Sequence, residues 1–204
     1  MNAVPKFRRR SEARPDEILD AALAVFGEKG FDPARMDDIA AAAGVSKGAL
    51  YLYFESKEAV LKGLIKREVA PVAARVHALA ESGAGDPAGA LRLILSAASQ
   101  MTEAPGFAAT PRLVLSIAAR FPEIGRYYRE HVVDVGLNAI ETLIAKGAAA
   151  GVFRAVDARA AARMVMGPVL VKALYVHILG GQPDKDAAAR ADAIAGILFK
   201  GIAA

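Results

Sequence analysis

Residues 36–54 read MDDIAAAAGVSKGALYLYF, and this stretch decides the fold predicted for the N-terminal part of the chain. A short helix is predicted over 36–43, and a second helix from Ser46 or Lys47 to about Phe54. Gly44 stands between them and can adopt the left-handed backbone conformation that a tight turn needs. The pattern predicts a helix-turn-helix, although the spacing alone would also suit a generic helical hairpin.

The apolar residues of this stretch predict which side of each helix is buried. Ala40 lies where the two helices approach each other, so a larger side chain would push them apart. Leu50 and Phe54 are one helical turn apart and are expected to point inward with Ile39 and Val45. The residues that remain on the outward face are Lys47, Gly48 and Tyr51.

Gly48 is unusual near the start of an exposed helix. Glycine inside a helix costs about 1 kcal/mol relative to alanine. Its presence predicts a surface at which the backbone must come close to a partner.

The longer stretch FGEKGFDPARMDDIAAAAGVSKGALYLYFESKEAVL, residues 26–61, resembles the DNA-binding domain of the tetracycline-repressor (TetR) family. The resemblance covers about residues 15–65. It implies that the helix from Ser46 to Phe54 lies in the major groove of DNA. It also implies that Lys47, Gly48 and Tyr51 meet base edges or adjacent phosphates. The predicted DNA-binding residues are Arg35, Ser46, Lys47, Gly48, Ala49, Tyr51, Tyr53 and Lys57, of which Tyr53 and Lys57 would mostly hold phosphates.

The sequence departs from the family pattern at two positions. Many relatives have Thr or Ser before the second helix, where Ala34 and Arg35 stand here, and losing such a cap costs about 1 kcal/mol. Asp37 and Asp38 can offset part of that loss at the positive end of the helix dipole. Arg35 is interpreted either as a substitute phosphate contact or as a solvated loop charge. Ala49 replaces a residue that is often polar, so one contact to DNA is apolar or missing.

A basic segment precedes the helix-turn-helix. Residues 1–14 carry a local charge of +4, whereas residues 15–57 carry −4, within a chain of net charge +4. Such a segment suits a solvated tail, but beside a DNA-binding unit it also suits an arm that releases counterions from phosphates. The predicted arm residues are Lys6, Arg8, Arg9 and Arg10.

The rest of the chain also shows helical periodicity and punctuation. A first helix is predicted over Pro15–Lys29, and Ser56 is expected to cap a fourth helix over about 57–80, with Pro71 as a hinge. Further helices are expected near 87–103, 110–120, 122–149, 157–179 and 184–202. The prediction is an all-α protein of about nine helices, with an arm over 1–14, a three-helix DNA-binding domain over 15–60 and a ligand-binding and dimerisation domain over 61–204.

Beyond residue 65 the resemblance to the family is mainly architectural. It implies a ligand pocket among the central helices and a homodimer formed through the last two long helices. Each of these two helices has an apolar stripe that suits this role, although part of such stripes must form the intramolecular core. The first stripe consists of Met164, Pro168, Val171, Tyr175 and Ile178, and the second of Ala188, Ala191, Ala195, Leu198 and Ile202. The candidate ligand-binding residues are His77, Gln100, Met101, Arg112, Tyr128, His131 and Lys172. Each of them also suits a surface or core role, and Arg112 and Lys172 would favour an anionic ligand if they faced a cavity.

Composition excludes several other classes of protein. The chain of 204 residues has no Cys and only three His, so no disulfide, thiolate metal site or histidine metal motif is expected. No nucleophile–base pair or phosphate loop is evident, so neither an enzyme nor a cofactor is expected. No signal or membrane-spanning segment is predicted, which indicates a cytoplasmic, nucleoid-associated protein.

The expected function is therefore a regulator that binds operator DNA, most simply a repressor released by a small apolar or amphipathic effector. The alternative is a DNA-binding protein that is controlled by a protein partner, or an architectural binder without an effector. A cavity in the C-terminal part would favour the first reading, and a fully packed interior would favour the second.

Overall fold

The structure is a computed structural model that describes the backbone of residues 6–102 and 106–202, and the side chains of 15–102 and 106–201. Eleven α-helices follow one another in these ranges. They are α1 (Lys6–Lys29), α2 (Met36–Ala42), α3 (Lys47–Tyr51), α4 (Lys57–Leu64), α5 (Ala70–Ser82), α6 (Pro87–Met101), α7 (Ala109–Ile117), α8 (Pro122–Tyr128), α9 (Asp134–Ala149), α10 (Ala158–His177) and α11 (Ala187–Ile202). The all-α prediction is confirmed.

Two of the boundaries between these helices are π turns. Residues Ile65–Val69 join α4 to α5, and residues Arg129–Val133 join α8 to α9. The described ranges therefore contain nine continuous helical segments, as the sequence predicted. The first π turn ends two residues before Pro71, which stands in the first turn of α5 and cannot donate a backbone hydrogen bond. The hinge role of Pro71 stays a prediction.

Two helix boundaries in the N-terminal part differ from the prediction by three residues or more. α1 begins at Lys6 and not at Pro15, because the preceding Arg, Glu and Ala residues are good helix formers and the helix continues through the proline. α3 ends at Tyr51 and not at Phe54, since the chain turns there to reach the next helix, which Ser56 caps.

One hydrophobic core holds the N-terminal helices together. Ile18, Ile39 and Leu50, from α1, α2 and α3, are completely buried, and Phe54 and Val45 pack against this core. The same core contains residues from α7 and α8, namely Val114, Ile117 and Ile124. The packing thus continues past the predicted boundary at residue 60, and the N-terminal helices rest directly on α7 and α8.

Two further cores lie in the C-terminal part. α5, α6, α9 and α10 share the larger one, in which Ile94, Ile140 and Ile144 are completely buried. The smaller one joins α6 and α10 to α11 through Leu95, Val169 and the buried Ala191 and Ala195. Ala191 and Ala195 of the α11 stripe therefore belong to the intramolecular core, whereas Ala188 is exposed. α10 has several exposed apolar side chains.

Candidate nucleic-acid interface

The turn between α2 and α3 has the geometry that the sequence predicts. Gly44 has φ = +66°, in the left-handed region that favours glycine. The backbone N–H of Val45 donates to the carbonyl of Ala40 across the turn at 3.0 Å. Ser46 then caps α3, because its hydroxyl oxygen accepts the backbone N–H of Ala49 at 3.2 Å. These local contacts fix the orientation of α3 relative to α2.

α3 presents a polar, solvent-exposed side. Ser46, Lys47, Gly48 and Tyr51 are exposed on it, and Ala49 is half-buried. The ammonium of Lys47 lies 2.9 Å from a carboxylate oxygen of Asp37, and the hydrogen bond between them raises the pKa of Lys47. Because both side chains are well exposed, this ion pair is weak and can open toward a ligand.

The space around Gly48 is empty. A Cβ atom built there would have no other atom within 4 Å. Nothing inside the protein therefore requires glycine at this position. No intramolecular contact explains why the chain has glycine here, where alanine would make the helix more stable. A close external surface, such as the wall of a DNA groove, does explain it.

The start of α2 lacks a hydroxyl cap, and Asp38 takes over part of that function. Its carboxylate accepts the backbone N–H of Arg35 at 2.9 Å and the ammonium of Lys29 at 2.7 Å. The hydrogen bond from Lys29, followed by that from the Arg35 backbone, lowers the pKa of Asp38. The side chain of Arg35 is exposed and has no ion pair within the described residues, so it is free to reach a phosphate.

The structure places Lys57 differently from what the resemblance implies. Its ammonium donates to the carbonyls of Phe31 and Asp32 at 2.9 and 2.8 Å, with that of Ala34 at 3.4 Å. It also lies 4.7 Å from the centre of the Phe31 ring. An ammonium has three N–H donors, and here all three point to the α1–α2 loop. In this conformation Lys57 holds the loop and has no donor left for DNA.

This placement makes a prediction about salt dependence. Lys57→Met should lower stability by about 1–3 kcal/mol, because charged hydrogen bonds are lost, and should leave the slope of log affinity against log salt unchanged. Arg35→Ala should lower the magnitude of that slope by about 0.9, the value for one phosphate contact. Thermal unfolding and DNA titrations at several salt concentrations measure both. A slope reduced in Lys57→Met would show that Lys57 reaches a phosphate.

The remaining predicted DNA contacts lie at the edges of this surface. Tyr53 is exposed just after α3, beside Leu52, an exposed apolar residue that the sequence analysis did not single out. The arm residues Lys6, Arg8, Arg9 and Arg10 belong to the first turns of α1, and their side chains lie outside the described residues.

A polar network that the sequence does not reveal links the DNA-binding unit to the C-terminal part. Arg67, in the first π turn, lies 2.8 Å from a carboxylate oxygen of Asp20 in α1 and 2.7 Å from one of Glu68. The other carboxylate oxygen of Glu68 accepts the hydroxyl of the completely buried Thr110 in α7. No local pattern predicts contacts between residues so far apart in sequence.

The predicted ligand-binding residues are not gathered at one place. His77, Gln100 and His131 are exposed on their helices, and the ring of His131 stacks on Tyr127. Met101 and Tyr128 are half-buried, and burial raises the pKa of Tyr128.

Arg112 and Lys172 do line clefts. Arg112 borders a cleft of about 310 Å³ between α1 and α7 and another of about 420 Å³ that reaches His177 in α10. Lys172 lines a third, of about 360 Å³, and lies 3.4 Å from a carboxylate oxygen of Asp184.

α10 carries an apolar surface that no described residue covers. Val171 is 65% exposed, and Met164, Leu170, Tyr175 and Ile178 are about half exposed or more. Several exposed apolar side chains on one helix are typical of an interaction site. None of the described helices has an apolar stretch long enough to cross a membrane, and the described side chains contain no cluster suited to a metal ion.

Comparison with known sequences identifies the two parts of the chain separately. Residues 18–64 match the family of bacterial regulatory proteins named tetR, and residues 89–198 match the C-terminal domain of AefR-like transcriptional repressors. A curated relative is the negative transcriptional regulator IcaR of the icaADBC biofilm operon in Staphylococcus aureus. It is 39% identical over 51 residues, which are 25% of this chain and 27% of the relative. The chain thus matches only about a quarter of that relative's length.

Solved structures match nearly the whole chain. The fatty acid degradation regulator FadR of Bacillus halodurans is 26% identical, with a TM-score of 0.64 over 97% of this chain and 96% of that one. The FadR of Bacillus subtilis, solved in complex with stearoyl-CoA, is 23% identical, with a TM-score of 0.65 over 91% and 97%. The matched families are transcription regulators and not enzymes, as the sequence predicted. The chain belongs to the TetR family of bacterial transcription regulators and carries a C-terminal domain of the AefR-like repressor type.

Proposed function

We propose that this protein is a homodimeric repressor that binds operator DNA through α3 and is released by a small apolar or amphipathic molecule. The observation that carries the DNA-binding part is the exposed polar side of α3, where Gly48 leaves open space between Lys47 and Tyr51. We place its action on chromosomal DNA in the cytoplasm.

Each residue of this surface has a role that follows from its position. Lys47 and Tyr51 read base edges or the nearest phosphates, and Gly48 lets the backbone of α3 enter the groove. Ser46 and Ala49 lie on the same side of the helix, whereas Tyr53 and Arg35 hold phosphates on either side. Phosphate contacts of this kind orient a protein on DNA, and base contacts supply its specificity.

Operator binding tests this proposal directly. We expect the protein to bind the promoter of its own gene tightly and in a salt-sensitive way, and Tyr51→Ala to weaken that binding about tenfold. Titration of labelled promoter DNA and of a scrambled sequence measures both affinities. Equal affinity for the two sequences, or an unaffected Tyr51→Ala, would contradict the role of α3.

Dimerisation would place two α3 helices about 34–36 Å apart, on successive major grooves. The exposed apolar side of α10 supports a second copy of the chain as its occupant, because a monomer would leave these side chains in water.

A charge on this side of α10 should prevent the association. We expect Val171→Asp to weaken the dimer at least tenfold, because an unpaired carboxylate would be buried between two apolar surfaces. Leu93→Asp is a matched control, since Leu93 is 60% exposed on α6. Sedimentation equilibrium measures the effect. If Val171→Asp left the dimer unchanged, the interface would not lie on this side of α10.

The shared core supports the regulatory part of the proposal. α7 and α8 pack into the DNA-binding unit, and the Arg67–Glu68–Thr110 network crosses the same boundary. A ligand that alters the position of α7 would therefore alter the position of α3. The stearoyl-CoA bound to the Bacillus subtilis FadR supports an amphipathic effector for this chain as well. Such a ligand shifts the equilibrium between the DNA-binding conformation and the released conformation only by the difference between its affinities for the two.

A further inference from the structure

The cleft between α1 and α7 lies on the boundary between the two parts of the protein. One wall is formed by Leu23 and Gly27 of α1 with Phe31 of the following loop, and the other by Arg112, Leu113 and Ser116 of α7. Its volume of about 310 Å³ falls at the lower end of the range found for ligand pockets, and such pockets are common at domain boundaries.

The cleft carries the positive charge of Arg112. The side chain of Arg112 is exposed, and no carboxylate of the described residues pairs with it. The hydroxyl of Ser116 donates to the carbonyl of Leu113 at 2.7 Å. A guanidinium offers several N–H donors in a planar arrangement that suits carboxylate or phosphate oxygens.

Gly27 keeps one wall of the cleft open. It lies inside α1, where glycine is unfavourable, and a Cβ atom at this position would have no other atom within 4 Å. The fold therefore does not need glycine here. A longer side chain at this position would project into the cleft.

We propose that this cleft binds a small amphipathic anion, whose carboxylate, sulfonate or phosphate group pairs with Arg112 while its apolar body lies between Leu23 and Leu113. Because the two walls belong to different parts of the protein, the bound anion sets the position of α1 relative to α7. This inference rests on the proposed regulation by a small molecule and names its site and the chemistry of its ligand.

Anilinonaphthalene sulfonate, an aromatic anion that fluoresces in apolar surroundings, is a suitable probe for the full-length protein. We expect saturable binding that Arg112→Gln weakens roughly tenfold, through loss of a charged hydrogen bond, and that Gly27→Leu abolishes by filling the cleft. Arg159→Gln and Gly136→Leu are matched controls, because Arg159 is exposed on α10 and a Cβ at Gly136 of α9 has no contact within 4 Å. Equal binding by all five proteins, or no binding to the wild type, would overturn the proposal.

A second titration tests the link to DNA. Coupling between two sites is reciprocal, so saturating operator DNA should change the affinity for the probe several-fold. An affinity that is the same with and without operator would overturn the regulatory role of the cleft. Operator binding by the probe-free wild type and by Arg159→Gln should be equal and tests the proposed function separately. If neither protein bound operator DNA, the proposed repressor function would be contradicted, and the probe titration would still test the cleft.

Discussion

Replacement of Gly48 by leucine is expected to lower operator affinity at least a hundredfold without harming the fold. The free protein has open space where the new side chain would project, and leucine favours the helix more than glycine does, by up to about 1 kcal/mol. On DNA the same side chain would separate the backbone of α3 from the groove. Contacts to the bases depend on that close approach, and each of them is worth about 1–3 kcal/mol.

Two measurements on the same protein separate these effects. Thermal unfolding should show a Gly48→Leu variant as stable as the wild type or slightly more stable, while operator titration shows the loss of affinity. Gly136→Leu is the matched control, since it makes the same change in α9 at a position that also has open space. It should retain operator binding. Undiminished affinity in Gly48→Leu would mean that α3 does not approach DNA by its backbone.

Truncation of Leu50 to alanine should cost about 2–5 kcal/mol of unfolding free energy, as for other completely buried leucines. Leu50 has no exposed surface and belongs to the same N-terminal core as Ile39. Leu52, two residues along the chain, is 85% exposed. Leu52→Ala makes the same chemical change in the same segment and should cost less than about 0.5 kcal/mol.

Denaturant titration of the two variants and the wild type measures the difference. Because Leu50 anchors α3, Leu50→Ala should also weaken operator binding at temperatures where the variant is still folded. A similar loss of stability in both variants would show that Leu50 is not the anchor of α3.

The features that the sequence predicted correctly depend on local chemistry. The conformation of Gly44 and the cap at Ser56 are each fixed by atoms within a few residues, so a short pattern is enough to reveal them. The inward positions of Ile39 and Leu50 follow from helical periodicity alone. The all-α architecture is also a sum of such local preferences.

The features that the sequence did not reveal depend on contacts between distant segments. The ammonium of Lys57 binds carbonyls about 25 residues earlier in the chain, and Thr110 binds Glu68 from another helix. Burial of Val114 and Ile124 against α1–α4 likewise depends on the path of the whole chain. The exposed side of α10 is visible in the sequence as an apolar stripe, but only the structure shows that none of the other described helices covers it.

The core that α7 and α8 share with the N-terminal helices has a consequence for the construction of chimaeric regulators. A fusion that transplants residues 15–60 onto the C-terminal half of a relative would pack the side of α1 that contacts α7 here against unmatched side chains of the relative. The junction that respects the packing would carry α7 and α8 along with the N-terminal helices. Specificity for DNA is thus exchangeable in this architecture only together with the surface that supports it.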